Sequence, residues 1–254
     1  MSVLQVRDLH LQLGPHRILN GVDLEVAQGQ RLALIGPNGA GKSSVFNAIT
    51  GLLQPARGHI TLDGQSLIGL SPHQIVRLGL GRSFQVSQFF GSLPVADHLR
   101  LACLAALGYQ TGRWRDLTRR LDRLRDVEQR VEQLLDSLEL GDVAATPAGQ
   151  LPYAGQRMLE LGLVLAVDPH VLLLDEPTAG MSRSETLQFV RRIDQLSRGR
   201  ALVLVEHDMS VVAELADQVA VLYEGRVLVC DSADAVQAHE EVRQIYGDKR
   251  WAAC

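Results

Sequence analysis

Residues 36–43 read Gly36-Pro37-Asn38-Gly39-Ala40-Gly41-Lys42-Ser43, a full GxxxxGK[ST] pattern between the apolar run Leu32-Ala33-Leu34-Ile35 and a helical-looking stretch over 45–49. That spacing suits one chemistry, the cradling of nucleoside triphosphate phosphates. The glycines let successive backbone N–H groups curl into an anion-binding nest. The helix that follows presents its N-terminus, with Ser43 and Ser44 in its first turn, to the same phosphates. Lys42 adds a point charge, and Ser43 offers a hydroxyl to Mg²⁺. An ordinary Gly-rich turn would need neither the strand before nor the helix after.

A second chemical element is Val171-Leu172-Leu173-Leu174-Asp175-Glu176. Four apolar residues describe a buried strand, and its carboxylates sit at the C-terminal end, where open α/β sheets place ligands. Alone, the pair would read as a solvated strand end. Downstream of a phosphate cradle, Asp175 is expected to hold Mg²⁺ through its water shell. Glu176, turned the other way by strand alternation, is expected to polarise a water toward the γ-phosphate. A third strand, over 201–206, leads into His207-Asp208. A lone histidine there is usually a structural or surface group, and no other histidine lies at metal-ligand spacing; with two carboxylates at the parallel strand end, His207 reads better as a γ-phosphate contact.

These side chains need a scaffold that brings several strand ends to one edge. Short apolar runs and period-two alternation mark strands over 3–13, 22–26, 32–35 and 58–62, the last closed by an Asp63-Gly64 turn. From 95 to 138 the period becomes helical. Arg119, Arg120, Arg123 and Arg125 lie there among Asp116, Asp122, Asp126 and Glu128, a pattern expected of a solvated helix face. After 151, helices over 156–167, 182–196 and 209–215 alternate with strands over 171–175, 201–206 and 219–223. That alternation implies a mainly parallel sheet with helices on its faces.

Composition sets limits. The 254 residues suit one domain of α/β type, or one core carrying a small subdomain, and a net charge of -4 provides no electrostatic footprint for nucleic acid. Cys103, Cys230 and Cys254 show no paired or metal-ligand spacing, as expected in a reducing compartment. No signal-like pattern opens the sequence, and the apolar stretches 161–167 and 171–174 are too short to span a bilayer. Any membrane role is therefore expected to be peripheral.

The order of these motifs resembles the ATP-binding-cassette (ABC) ATPases along nearly the whole chain. The likeness rests on a Walker A segment at 36–43, a Q-loop glutamine at Gln85 within Gly81-Arg82-Ser83-Phe84-Gln85, and a signature region at Leu151-Pro152-Tyr153-Ala154-Gly155-Gln156-Arg157. A Walker B strand at 171–176 and a switch histidine at His207 complete it. The resemblance implies a RecA-like P-loop NTPase fold: a parallel sheet core with an antiparallel N-terminal β subdomain and an inserted helical subdomain. The expected divisions are 1–86, first part of the ATP-binding core; 87–150, helical subdomain; and 151–254, second part of the core with its tail. It also implies ATP and Mg²⁺ as ligands, Gln85 as a further Mg²⁺ contact, and Glu176 and His207 as the hydrolytic pair.

Leu159-Glu160, Pro177-Thr178-Ala179-Gly180-Met181, Glu206-His207-Asp208-Met209 and Val242-Arg243-Gln244-Ile245-Tyr246-Gly247 look like the ATPases of branched-chain amino acid importers. The implied partners are a second ATPase subunit, in a heteromeric or homomeric dimer, two membrane permease subunits and, indirectly, an extracytoplasmic solute-binding protein. The implied place is the cytoplasmic face of the inner membrane. Several positions depart from the family pattern. Leu13 stands where an aromatic usually stacks on adenine, Pro152 replaces the signature serine, Ala154 its second glycine and Gly155 its glutamine, and Ser182 replaces the aspartate of the D-loop. The degraded signature leaves a rival reading, a non-hydrolysing nucleotide-gated interaction subunit.

Overall fold

The structure, a computed structural model, describes residues 2–83, 89–106 and 117–246, with side chains described over 3–83, 89–106 and 125–246. Apolar runs without polar alternation need two buried faces. Three such runs form the middle of one sheet: β3 (Arg31–Ile35), β7 (Val171–Asp175) and β8 (Ala201–Val205), all buried apart from the first residue of β3. With β6 (Leu80–Arg82), β9 (Gln218–Tyr223) and β10 (Arg226–Asp231) they make a six-stranded sheet in the order β10-β9-β3-β8-β7-β6. Every pairing in it is parallel except that of β10 with β9.

Leu32, Leu34, Leu173 and Val203 point into one core, while Ala33, Ile35, Leu172, Leu174, Leu202 and Leu204 point into another, as the two-residue period of a strand requires. The first core is closed by an antiparallel sheet in the order β2-β1-β4-β5, built from β1 (Ser2–Leu13), β2 (His16–Ala27), β4 (Arg57–Leu62) and β5 (Gln65–Ser66). Helix α1 (Lys42–Ile49) adds Val45, Phe46 and Ile49 to it, and α2 (Pro72–Arg77) adds Ile75. The second core is covered by α5 (Tyr153–Leu165), α6 (Arg183–Leu196), α7 (Met209–Leu215), α8 (Ala233–Ala238) and α9 (Glu240–Tyr246). Helices α3 (Val95–Ala106) and α4 (Leu117–Ser137) pack on each other and on α5. The architecture is thus the expected α/β one, with a parallel-rich core and an antiparallel β subdomain.

Some expectations change in detail. The helical period over 95–138 resolves, among the described residues, into α3 and α4. Of the charges expected to pair along that helix, Arg119, Arg120, Asp122 and Arg123 lie outside the described side chains and Asp116 outside the described residues. Glu128 instead pairs across to Arg100 on α3, at 2.5 and 2.9 Å. Helix α5 starts at Tyr153, ahead of residue 156, because the backbone already curls around the Pro152 carbonyl, which accepts the Gln156 N–H at 3.0 Å. Strand β10, not anticipated, returns from β9 through Glu224-Gly225, both at positive φ (46° and 74°), the backbone that a tight two-residue hairpin demands.

Candidate functional site

The phosphate-type segment leaves β3 and enters α1. Two of its glycines are fixed by their neighbours. A Cβ at Gly36 would lie 2.2 Å from the Leu222 carbonyl oxygen on β9. One at Gly41, where φ is 108°, would meet Leu19 Cδ2 on β2 at 2.8 Å. The first helical N–H donated back is that of Val45, to the Gly41 carbonyl at 2.9 Å; those of Lys42, Ser43 and Ser44 belong to the open helix end. Asn38, Gly39 and Ser43 are exposed, while Ala40 is buried. Lys42 is buried and donates through Nζ to the Gly36 and Pro37 carbonyls at 2.7 and 3.1 Å. Burial lowers its pKa, and the carboxylates of Glu176 and Asp175 oppose that shift.

Both carboxylates therefore lie near enough to act on the Lys42 charge, although strand alternation turns Glu176 away from the Asp175 face. The reason is local: β7 ends at Asp175, and Glu176 takes a left-handed backbone, φ 48°, with its N–H held by the Val205 carbonyl at 2.9 Å. For a residue with a Cβ that conformation costs about 1–2 kcal/mol. Glu176 Oε1 meets His207 Nε2 at 3.0 Å, so the ends of β7 and β8 deliver a carboxylate and an imidazole to one point. His207 leaves β8 one residue past Glu206, whose buried carboxylate accepts the His207 N–H at 3.1 Å and the Thr178 N–H and hydroxyl at 3.0 and 2.7 Å.

Asp175 is 3% exposed. Its Oδ2 accepts from Arg82 Nη2 at 3.2 Å, and burial raises its pKa against the pull of that guanidinium. Arg82 also donates to Asn47 Oδ1 at 2.8 Å and Thr50 Oγ1 at 3.0 Å, and its guanidinium lies over the Phe46 ring, 5.5 Å from the centroid. Asp175 Oδ1 is buried and has no hydrogen-bond partner among the described residues. No group of three or more His, Cys, Asp or Glu that could hold a metal occurs among the described residues. One carboxylate oxygen and one serine hydroxyl would not retain a cation by themselves. They do suit Mg²⁺, which keeps several waters and is commonly held by one or two carboxylates together with substrate phosphates.

The remaining expected site residues lie further out or outside the description. Gln85 falls outside the described residues; the chain reaches Ser83 beside Asp175, whose N–H donates to Ser83 Oγ at 3.2 Å. Leu13 closes β1, pairs with His16 and is 44% exposed at the hairpin tip. Pro152 is the N-cap of α5 with no side-chain hydrogen bond, exposed, with Ala154 and Gly155 half-buried in the first turn. Tyr153 ties this turn to the loop beyond Glu176, since its hydroxyl donates to the Ala179 carbonyl at 2.8 Å and accepts from Arg157 Nε at 2.9 Å. Ser182 caps α6 in a capping box, accepting the Glu185 N–H at 3.4 Å while Glu185 Oε2 accepts the Ser182 N–H at 2.8 Å. A short polar side chain suffices for that task, which accounts for a serine there.

Sequence reasoning missed Arg82, Thr178 and Glu206. Glu206 carried a usable signal, a carboxylate ending an otherwise apolar strand. Arg82 carried none, because Asn47 and Asp175 lie 35 and 93 residues away in the chain.

A family model described as ABC transporter matches residues 19–179. The high-affinity branched-chain amino acid transport ATP-binding protein BraF of Pseudomonas aeruginosa is 33% identical over 248 residues, 96% of this chain and 97% of that protein. The lipopolysaccharide export system ATP-binding protein LptB of Acidithiobacillus ferridurans is 31% identical over 250 residues, 98% of each. Among solved structures, an ATP-binding cassette of an ABC transporter in its ADP conformation superposes with a TM-score of 0.82 at 24% identity, covering 98% of this chain and all 100% of that one.

Proposed function

We propose, from the premise that this chain belongs to the ABC transporter family and is an ATPase subunit of such a transporter, that it powers uptake of branched-chain amino acids or a related small polar solute. The contact of His207 with Glu176 at 3.0 Å, near enough to act on the Lys42 charge, carries the hydrolytic part of this reading. The likeness to BraF supports the solute class.

In this reading residues 36–44 hold the ATP phosphates through backbone N–H groups, and Lys42 exchanges its loop carbonyls for phosphate oxygens. Asp175, Ser43 and Gln85 would hold Mg²⁺, which when bound would neutralise charge on the phosphate oxygens. Glu176 orients the attacking water and His207 contacts the γ-phosphate. A second ATPase closes the open side with its own signature helix, and the paired ATPases act on two permeases from the cytoplasmic face of the membrane, fed by a solute-binding protein. Consistently, no helix among the described residues is long and apolar enough to cross a membrane.

In the reconstituted transporter, Glu176→Gln is expected to keep ATP binding and to lower turnover by about 10² to 10⁴, the usual worth of a positioned base. Leucine uptake into proteoliposomes should fall with it. Turnover within threefold of wild type excludes Glu176 as the essential group. A second reading, a nucleotide-gated subunit that does not hydrolyse, is favoured by the uncapped Pro152 and by Ala154 in the α5 turn. It predicts ATP binding without turnover in the wild-type complex.

A further inference from the structure

Glu206 is a buried carboxylate that the hydrolysis described above does not use, and it lies where the two hydrolytic side chains converge. It follows an entirely buried strand, is itself 4% exposed, and faces two loops at once. Its Oε1 accepts the Thr178 N–H at 3.0 Å and the Thr178 hydroxyl at 2.7 Å. Its Oε2 accepts the N–H of His207 at 3.1 Å. Thr178 lies two residues beyond Glu176, in a turn where the Ala179 N–H returns to the Glu176 carbonyl at 3.2 Å. One side chain therefore fastens the loop that carries Glu176 to the loop that carries His207. Burying a carboxylate costs several kcal/mol unless such bonds offset it, and an apolar side chain would end the strand without that cost.

We propose that Glu206 is a positioning residue for ATP hydrolysis: through Thr178 and the His207 backbone it sets the register that places His207 Nε2 against Glu176 Oε1, without contacting the nucleotide. The inference rests on the reading of Glu176 and His207 as the hydrolytic pair. A misplacement of about 1 Å in such a pair is worth on the order of 10²-fold in rate, whereas ground-state binding through the phosphate segment is insensitive to it. Glu206→Gln keeps the shape and one carbonyl oxygen for Thr178 but turns an NH₂ toward the His207 N–H. It should act on turnover and leave affinity alone.

The test uses the assembled transporter, with ATP affinity from a titration and the hydrolytic step from single-turnover cleavage of γ-labelled ATP. Glu206→Gln is expected to slow cleavage at least tenfold with ATP affinity within twofold of wild type. Thr178→Val, which removes the hydroxyl bond, should slow it less, and Thr178→Ser, which keeps that bond, should restore the rate. Glu206→Gln added to His207→Ala should cost less than twofold beyond His207→Ala alone, because both act at one contact. The inference is overturned if Glu206→Gln cleaves within twofold of wild type, if affinity falls in parallel with rate, or if the double variant shows the full product of the two losses. Should Glu206→Gln fail to fold, Thr178→Val with and without His207→Ala provides the same comparison. Wild-type rates in both Glu176→Gln and His207→Ala would instead overturn the hydrolytic pair, and this inference with it.

Discussion

Asp175 and Arg82 are shielded from water together, with side chains 3% and 8% exposed, and each is pushed toward its neutral form by burial while the other resists. Removing one partner of such a pair strands the other and costs about 3–5 kcal/mol. Arg82→Met is accordingly expected to destabilise the nucleotide-free chain by that amount, read from denaturant unfolding. A loss under about 1 kcal/mol would mean that Asp175 finds water or another donor as readily. Glu206 gives a pH dependence. Burial raises its pKa above the ordinary 4.5 against the bonds from Thr178. The folded state therefore holds its proton more tightly than the unfolded one, and the group's contribution is greatest below about pH 4.5 and declines as pH rises through the raised value. Glu206→Gln removes this titration. Thermal melts should show the variant gaining on wild type as pH rises above about 4.5, and a gap that is flat or moves the other way contradicts the assignment.

At the level of elements, legibility followed burial. Strands β7 and β8 were readable to within a residue because both of their faces are covered, which leaves unbroken apolar runs up to the terminal Asp175 of β7. Strand β6 has three residues and β10 is only partly buried, so neither imposes a pattern of its own. The phosphate segment was legible because the Leu222 carbonyl at Gly36 and the left-handed backbone at Gly41, φ 108°, both disfavour a side chain. The turn of Glu176 was not, since a residue with a Cβ rarely adopts the left-handed backbone found there and its N–H is held by Val205, 29 residues on in the chain. The β1–β2 hairpin runs beside the phosphate-type segment. Its second strand passes the phosphate segment at Ile18, whose carbonyl is 3.4 Å from the Cβ position at Gly41, and its tip bears Leu13. If that tip lies over the base, Leu13→Tyr should tighten ATP by about 1–3 kcal/mol, or roughly five- to 150-fold. Equal affinities of wild type and variant in calorimetric titration, for ATP and GTP alike, would mean that the hairpin stands away from the base or that His16 already covers it.

Across the whole molecule, the Tyr153 bond to Ala179 joins the start of α5 to the loop that follows Glu176. In the proposed dimer, the surface offered to the partner's nucleotide is thus tethered to this chain's own hydrolytic loop. The two composite sites should then be unequal if the partner is a different ATPase. This chain's Glu176 would face an intact signature, whereas the partner's nucleotide would face Pro152 and Ala154. Pro152 occupies the N-cap of a 13-residue helix without providing any side-chain bond. The helix dipole survives, but one charge-assisted hydrogen bond, about 1.5–3 kcal/mol, is missing from the partner's site. Pro152→Ser with Ala154→Gly should therefore raise turnover at the partner's site. The serine should also stabilise this chain by about 0.5–2 kcal/mol through capping, partly offset by the added glycine. Blocking hydrolysis here through Glu176→Gln should reduce total turnover more than the equivalent change in the partner. Turnover of the heteromeric complex with each ATPase disabled in turn decides between the readings. Equal losses, with no gain from the restored signature, would make Pro152 a neutral variant and the two sites equivalent.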